Sequence, residues 1–172
     1  IPYTDIDMLA KMSRDIFDVR KIASGKKYTI LCSKDSLGKA QCFIYEPNET
    51  EYVVFDMRDS ISIYRGQKEV TTKIKQIEGT INSSLYQTLV EQEASPILAI
   101  EMANVYAWTI DFYSIQKGDH FNVVYEERYV DDKFIGIGKV LAANFNHYGR
   151  DYYAYRFKQD GITNYFDAEG NS

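Results

Sequence analysis

The chain has 172 residues, 45% apolar and 26% charged, so it holds one domain or two small ones, can bury a core, and is not disordered by composition. Lys and Arg number 20 against 25 Asp and Glu, and the net charge of −5 repels a polyanion, which argues against nucleic acid as a partner. No apolar run approaches the ~18 residues that a membrane-spanning helix needs, and Ile1-Pro2-Tyr3-Thr4-Asp5 has neither the basic nor the apolar part of a signal peptide.

In chain order, Ile6, Leu9 and Ala10 after early acidic residues predict a short helix from Thr4 to Met12, capped by Thr4 or Asp5. Ser24-Gly25 breaks the chain. Lys27 to Ser33 and Gln41 to Glu46 then form a hairpin, and Glu51 to Asp56 and Ser60 to Arg65 follow as strands. If the hairpin centres on Leu37, Cys32 and Cys42 face one another directly; a disulfide and two free thiols are both open. Residues 68–78 alternate charge with β-branched side chains, as an edge or connecting strand does.

At Gly79 the character changes, and the domain boundary is placed between Gly79 and Ser84. Ser84-Leu85-Tyr86-Gln87 is a capping box opening a helix to about Glu93, and Ser95-Pro96 opens a second helix to Tyr106 or Trp108. Four strands follow over Phe121–Tyr129, Phe134–Phe145, Asp151–Phe157 and Ile162–Phe166, divided by short turns such as His147-Tyr148-Gly149-Arg150. Gly136 and Gly138 lie inside a strand and mark a bend. The fold class is therefore α+β in two small domains. Residues 1–79 form an α+β unit, and residues 80–172 form two helices followed by a strongly curved antiparallel sheet or small β-barrel. With 15 Tyr, 9 Phe and 1 Trp, the aromatic side chains suit half-exposed strands and also faces that contact carbohydrate.

Catalytic chemistry finds little support. Only His120 and His147 are present, and no Walker loop, dinucleotide fingerprint or Ser/His/Asp set is read from the sequence. His147-Tyr148-Gly149-Arg150-Asp151 has the outline of a zinc half-site, but no later histidine completes it, and Tyr153, Tyr155 and Phe157 alternate directly afterwards as in a strand. Glu126 and Glu127 are neighbours on a strand and point to opposite faces, so they do not flank one bond together. Asp111, embedded among Trp108, Phe112 and other aromatics, is the most suggestive acid, and tying a helix-to-strand turn explains it more simply than catalysis. The residues describe a non-catalytic binding or interaction module with no metal site of its own.

Several stretches resemble a known family. Ser13-Arg14-Asp15-Ile16-Phe17-Asp18-Val19-Arg20-Lys21-Ile22 and Ser24-Gly25-Lys26-Lys27-Tyr28-Thr29-Ile30-Leu31 are similar to the LysM-like, opacity-associated N-terminal region of lysostaphin-type (LytM) zinc peptidoglycan endopeptidases, especially their Bacteroidetes form. Tyr106-Ala107-Trp108-Thr109-Ile110-Asp111-Phe112, Gln116-Lys117-Gly118-Asp119-His120-Phe121, Tyr125-Glu126-Glu127 and Gly138-Lys139-Val140-Leu141-Ala142-Ala143-Asn144-Phe145 resemble their second non-catalytic domain. Tyr165-Phe166-Asp167-Ala168-Glu169-Gly170-Asn171-Ser172 resembles the segment leading into the peptidase domain.

The resemblance implies a regulatory and wall-targeting region, with the first domain truncated before Thr4 and the zinc-bearing peptidase domain lying beyond Ser172. The implied partners are peptidoglycan and that peptidase domain, with no cofactor in this chain. The implied location is the periplasm or cell envelope, reached through a signal segment upstream of residue 1. Trp108, Asp111, Phe112 and Glu126 are the candidate contact residues. A free-standing module that stacks exposed tyrosines on sugar rings is the competing expectation.

Overall fold

The structure is a computed structural model that describes residues 3–171, and the side chains of residues 6–171. It divides into two compact units, Ile1–Val70 and Thr71–Ser172, each with its own core.

The first unit opens with helix α1 (Tyr3–Met12) and a single 3-10 turn (Val19–Lys21). The expected cap by Thr4 or Asp5 lies outside the described side chains. Four strands follow, β1 (Lys27–Cys32), β2 (Ala40–Glu46), β3 (Glu51–Asp56) and β4 (Ser62–Gln67), antiparallel in the order β1-β2-β3-β4. Register places Phe43 opposite Phe55 and Tyr45 opposite Val53, so alternate residues of β2 and β3 meet Leu9 and Phe17 in one apolar cluster. The Tyr45 hydroxyl accepts from the Ala23 N–H at 3.0 Å, so its polar end is satisfied while its ring is buried. The cysteines do not face one another as the hairpin predicted. An irregularity between Leu31 and Cys32 puts Cys32 opposite Ala40 and Cys42 opposite Leu31, and both thiols are free.

The second unit contains β5 (Thr71–Thr80), α2 (Leu85–Glu91), α3 (Ile97–Val105), β6 (His120–Val130), β7 (Lys133–His147), β8 (Arg150–Gln159) and β9 (Ile162–Phe166). The Ser84 hydroxyl accepts from the Gln87 N–H at 3.1 Å and caps α2, which is one half of the expected capping box; the Gln87 side-chain amide donates to Glu91 at 3.1 Å. At α3 the helix starts at Ile97, and Ser95 contributes its carbonyl to Leu98 N–H in place of a side-chain cap.

The sheet runs β5-β6-β7-β8-β9, all antiparallel, so it is an open sheet and not the barrel alternative, with β5 at one edge and β9 at the other. The sequence reading ended the first unit at residue 79. In the structure β5 pairs along its whole length with β6, from Thr71 opposite Tyr129 to Thr80 opposite His120, which carries residues 71–80 into the second unit. β6 and β7 lose register between Val124 and Tyr125, between Tyr125 and Glu127 and between Arg128 and Tyr129, irregularities of the kind that bend a strand. There Gly138 lies so close to Glu126 that an added Cβ would sit 2.8 Å from the glutamate Cβ, and Gly136 takes φ +147. The bend read from these two glycines is thus a β-bulge region.

One face of this sheet carries the core. Phe121, Val123 and Tyr125 of β6, with Ala143 and Phe145 of β7, alternate inward against Leu85, Leu89, Leu98 and Met102 of the two helices. The opposite face presents Asn122, Val124, Ala142, Asn144, Tyr153 and Tyr155.

Candidate functional site

The stretch from the end of α3 to β6 is the most distinctive local feature. Tyr106, 2% exposed, stops the helix and donates its hydroxyl to the Tyr152 carbonyl at 2.9 Å. Burial pushes its phenol well above the usual tyrosine value. The Thr109 and Ile110 N–H groups both return to the Tyr106 carbonyl, at 2.8 and 2.9 Å, which closes a tight turn. Ile110 and Phe112 then point inward, Phe112 packing on Tyr106 and on Phe145 with ring centroids 6.2 and 5.4 Å apart. The side chains on either side of this pair go out: Trp108 is 101% and Tyr113 102% exposed. Free apolar surface of this size, twice within six residues, is unusual on a loop that is otherwise packed.

The loop is braced from behind. The Asp111 carboxylate accepts from the Tyr113 N–H at 3.0 Å, and the Asp111 carbonyl accepts from the Ser114 N–H and hydroxyl at 2.9 and 2.7 Å. Asp111 therefore ties a turn, the simpler of its two expected roles. The Ser114 Oγ lies 3.2 Å from His147 Nε2, and His147 Nδ1 lies 2.7 Å from Asp119 Oδ2, with His147 and Asp119 both buried. Asp119 also accepts from the Gln116 and Tyr148 N–H groups. Burial raises the Asp119 carboxyl, but the Gln116 N–H, His147 and the Tyr148 N–H together outweigh it and hold it below the usual carboxylate range.

A Ser/His/Asp set is thus assembled, contrary to the sequence reading. Its members stand 28 and 33 residues apart, and no local motif announces them. The Ser114 hydroxyl is within hydrogen-bond reach of both the Asp111 carbonyl, at 2.7 Å, and His147 Nε2, so it ties the turn to the His147–Asp119 pair.

Trp108, Asp111 and Phe112 line one open concavity of about 500 Å³, together with Tyr113. Glu126 does not belong to it. Its carboxylate accepts from the Lys139 N–H at 3.3 Å inside the bulge, while Glu127 takes the Tyr125 and Tyr129 hydroxyls, so the two acids act separately. His147 and Asp151, the two ends of the zinc half-site outline, are also held apart: His147 pairs with Asp119, and Asp151 accepts from Asn144 and Asn146. Tyr148 and Gly149, at φ +52 and +75, form the two-residue hairpin turn between them. Among the described residues, no group of three or more His, Cys, Asp or Glu is placed to hold a metal ion.

Residues 69–172 match the family described as the Csd3 second domain, which spans β5 to β9 and the braced loop. The chain belongs to the Csd3 second-domain family. The peptidoglycan DD-endopeptidase ShyC of Vibrio cholerae is 35% identical over 107 residues, 62% of this chain and 24% of that protein. An uncharacterized metalloprotease of Haemophilus influenzae is 26% identical over 152 residues, 84% of this chain and 30% of its own length. The chain thus spans 24% and 30% of these curated relatives.

Among solved structures, a zinc-containing peptidase from Vibrio cholerae superposes with TM-score 0.67 at 20% identity, over 100% of this chain and 52% of that one. Helicobacter pylori Csd3 superposes equally well, 0.67 at 20% identity over 97% of this chain and 45% of that one. At these identities the likeness is one of fold. The family expectation drawn from residues 106–112, 116–121, 125–127 and 138–145 is met in the second unit.

Proposed function

We propose that this chain is a non-catalytic region of a cell-wall zinc endopeptidase, which directs the enzyme to peptidoglycan and covers its catalytic groove until a rearrangement opens it. The observation that carries the reading is the alignment of a Csd3 second domain with about a quarter of a peptidoglycan DD-endopeptidase. On this reading the zinc and its ligands belong to a separate peptidase domain, the chain works in the periplasm or cell envelope, and the first unit is the LysM-like, wall-contacting part.

Trp108 and Tyr113 supply the surface that touches the peptidase domain. Burying a large apolar side chain is worth ~1.5–3 kcal/mol. The two together give roughly 3–6 kcal/mol, close to the ~5.5 kcal/mol that moves a two-state equilibrium from 1:99 to 99:1. A short tether adds to this by keeping the local concentration of the cover high. A few contacts are therefore enough to hold a groove closed, and a modest competing interaction is enough to open it.

The test compares the complete protein that carries this chain with a version lacking residues 1–172, measuring solubilisation of purified sacculi and co-sedimentation with them. Removal should speed solubilisation per bound enzyme and weaken co-sedimentation. Unchanged values of both, or solubilisation by the isolated chain with added zinc, would overturn the proposal.

A further inference from the structure

The strand β8 is paired on both sides over only part of its length. Two-residue turns close its hairpins, Tyr148-Gly149 between His147 and Arg150 and Asp160-Gly161 between Gln159 and Ile162. A pair that closes such a turn exchanges both backbone hydrogen bonds, and the alternation that follows turns Arg150, Tyr152 and Ala154 toward β7 and Gln159, Phe157 and Tyr155 toward β9. Asp151 and Tyr153 therefore aim their N–H and C=O groups to the β9 side. β9 stops at Phe166, opposite Tyr155, and among the described residues no strand pairs with that side of Asp151 and Tyr153.

Both residues line a cleft of about 520 Å³, which Tyr106 and Thr109, just past α3, line as well. Its two ends carry opposite charge. Where β9 stops, the chain turns through Asp167, which accepts from the Glu169 and Asn171 N–H groups at 3.0 and 2.8 Å. Bonds from the Asn171 side chain and N–H hold the Asp167 carboxyl below the usual carboxylate range, so it is charged in neutral solution, and Glu169 lies in the same turn. At the hairpin end stands Arg150, whose guanidinium lies 5.1 Å from the centroid of the Tyr152 ring and is in no ion pair among the described residues.

We infer that this cleft binds a short free peptide, which extends β9 along the bare edge of β8 with its ammonium beside Asp167 and Glu169 and its carboxylate on Arg150. An unpaired strand edge takes an extended backbone as its partner. The direction follows from the sheet. A segment continuing β9 runs antiparallel to β8, so it starts by Asp167 and ends by Arg150, which is the polarity of a peptide's own terminal charges. A guanidinium holds a carboxylate through paired N–H donors. From the place opposite Tyr153 to that opposite Arg150 there is room for about four residues, ~13 Å at ~3.3 Å each. The first and third exchange backbone hydrogen bonds with Tyr153 and Asp151. The second carries its side chain on the Tyr152 side of the sheet, where Tyr106 and Thr109 line the cleft.

The test is calorimetric titration of the intact chain with tetra-alanine, which probes backbone and termini without side-chain preference. The comparison peptides are its C-terminal amide, its N-acetyl form, and forms N-methylated at the second or the third residue; the variant is R150Q. Tetra-alanine should bind the wild type. The amide and methylation of the third residue should each weaken binding about tenfold or more, and the acetyl form should weaken it about threefold. Methylation of the second residue, whose N–H points away from β8, should leave binding unchanged. R150Q should lower the affinity for tetra-alanine to that of the amide and should bind acid and amide alike, which a merely structural loss would not produce.

No binding of tetra-alanine at millimolar concentration overturns the site. So does binding that is indifferent to the amide, or that falls equally with methylation of the second and of the third residue. If R150Q does not fold, the wild-type comparisons of acid with amide and of the two methylated peptides decide. The site goes beyond the covering and wall-directing roles, which the comparison of complete and shortened enzyme judges separately.

Discussion

Replacing Asp119 by alanine tests the brace behind the exposed loop. The side chain is 3% exposed and accepts from Gln116 N at 3.0 Å, His147 Nδ1 at 2.7 Å and Tyr148 N at 3.3 Å. D119A removes the acceptor and strands two backbone N–H groups and a buried imidazole. Each unsatisfied buried donor costs ~1–3 kcal/mol, and breaking a buried pair by removing one partner costs ~3–5 kcal/mol in total. A domain the size of the second unit has roughly 5–15 kcal/mol of stability, so the change should consume a large part of it. Urea unfolding followed by far-ultraviolet circular dichroism measures the loss.

The same group sets part of the acid limb. Its folded value is depressed, so its contribution is fully present above the unfolded value near ~3.9 and disappears as pH falls through the folded one. Wild type should therefore lose stability below about pH 4 more steeply than D119A does. A D119A cost under ~1 kcal/mol, with an acid limb parallel to wild type, would refute the view that this carboxylate holds the turn.

Four further outcomes follow from the geometry. F145A, which empties the centre of the second core where Phe145 meets Tyr106, Phe112 and Phe121, should cost about 3–5 kcal/mol in denaturant unfolding. G136A forces an L-residue to φ +147 and should destabilise by ~1–3 kcal/mol; a neutral result would mean that the bulge adjusts freely. Cys32, exposed, should react quickly with a thiol reagent; buried Cys42, raised first by burial and then by the nearby Asp56 charge, should react only on unfolding, giving a one-to-one split of fast and slow thiols. W108A should change stability by less than ~0.5 kcal/mol, and the fluorescence of this single tryptophan should be readily quenched by acrylamide in the isolated chain yet shielded in the complete enzyme if the loop covers the groove.

What was legible in the sequence was local. The hairpins of the first unit and the β6 to β9 meander are marked by alternation and by turn residues, and Ser84 marks α2 because its hydroxyl bonds within the same turn. The partner of residues 71–80 was not legible: alternating charge and β-branching fit a strand in either sheet, and the choice depends on β6, which begins forty residues after the end of β5. The barrel expectation failed for a related reason, since closure depends on whether β5 meets β9 and no pattern within either strand records that.

The candidate site divides in the same way. Asp111 was recognised as an acid among aromatics, but which of Trp108, Ile110 and Phe112 turns inward is fixed by Tyr106 and Phe145. Glu126 was grouped with that loop, whereas its position reflects the bulge at Gly138. Ser114, Asp119 and His147 gave no sign because their meeting depends on tertiary structure alone.

The edge strand β5 has a consequence for how the molecule behaves in company. Every second residue of this ten-residue strand points its N–H and C=O away from β6, with no neighbouring strand in the sheet, and Ile74 within it is 67% exposed. A bare ladder of that length invites a second copy to add on and to keep adding. Lys73 and Lys75 flank the isoleucine, and two copies paired antiparallel about Ile74 would bring like ammonium groups together along the seam. The charged alternation thus works against edge-to-edge pairing of copies through β5.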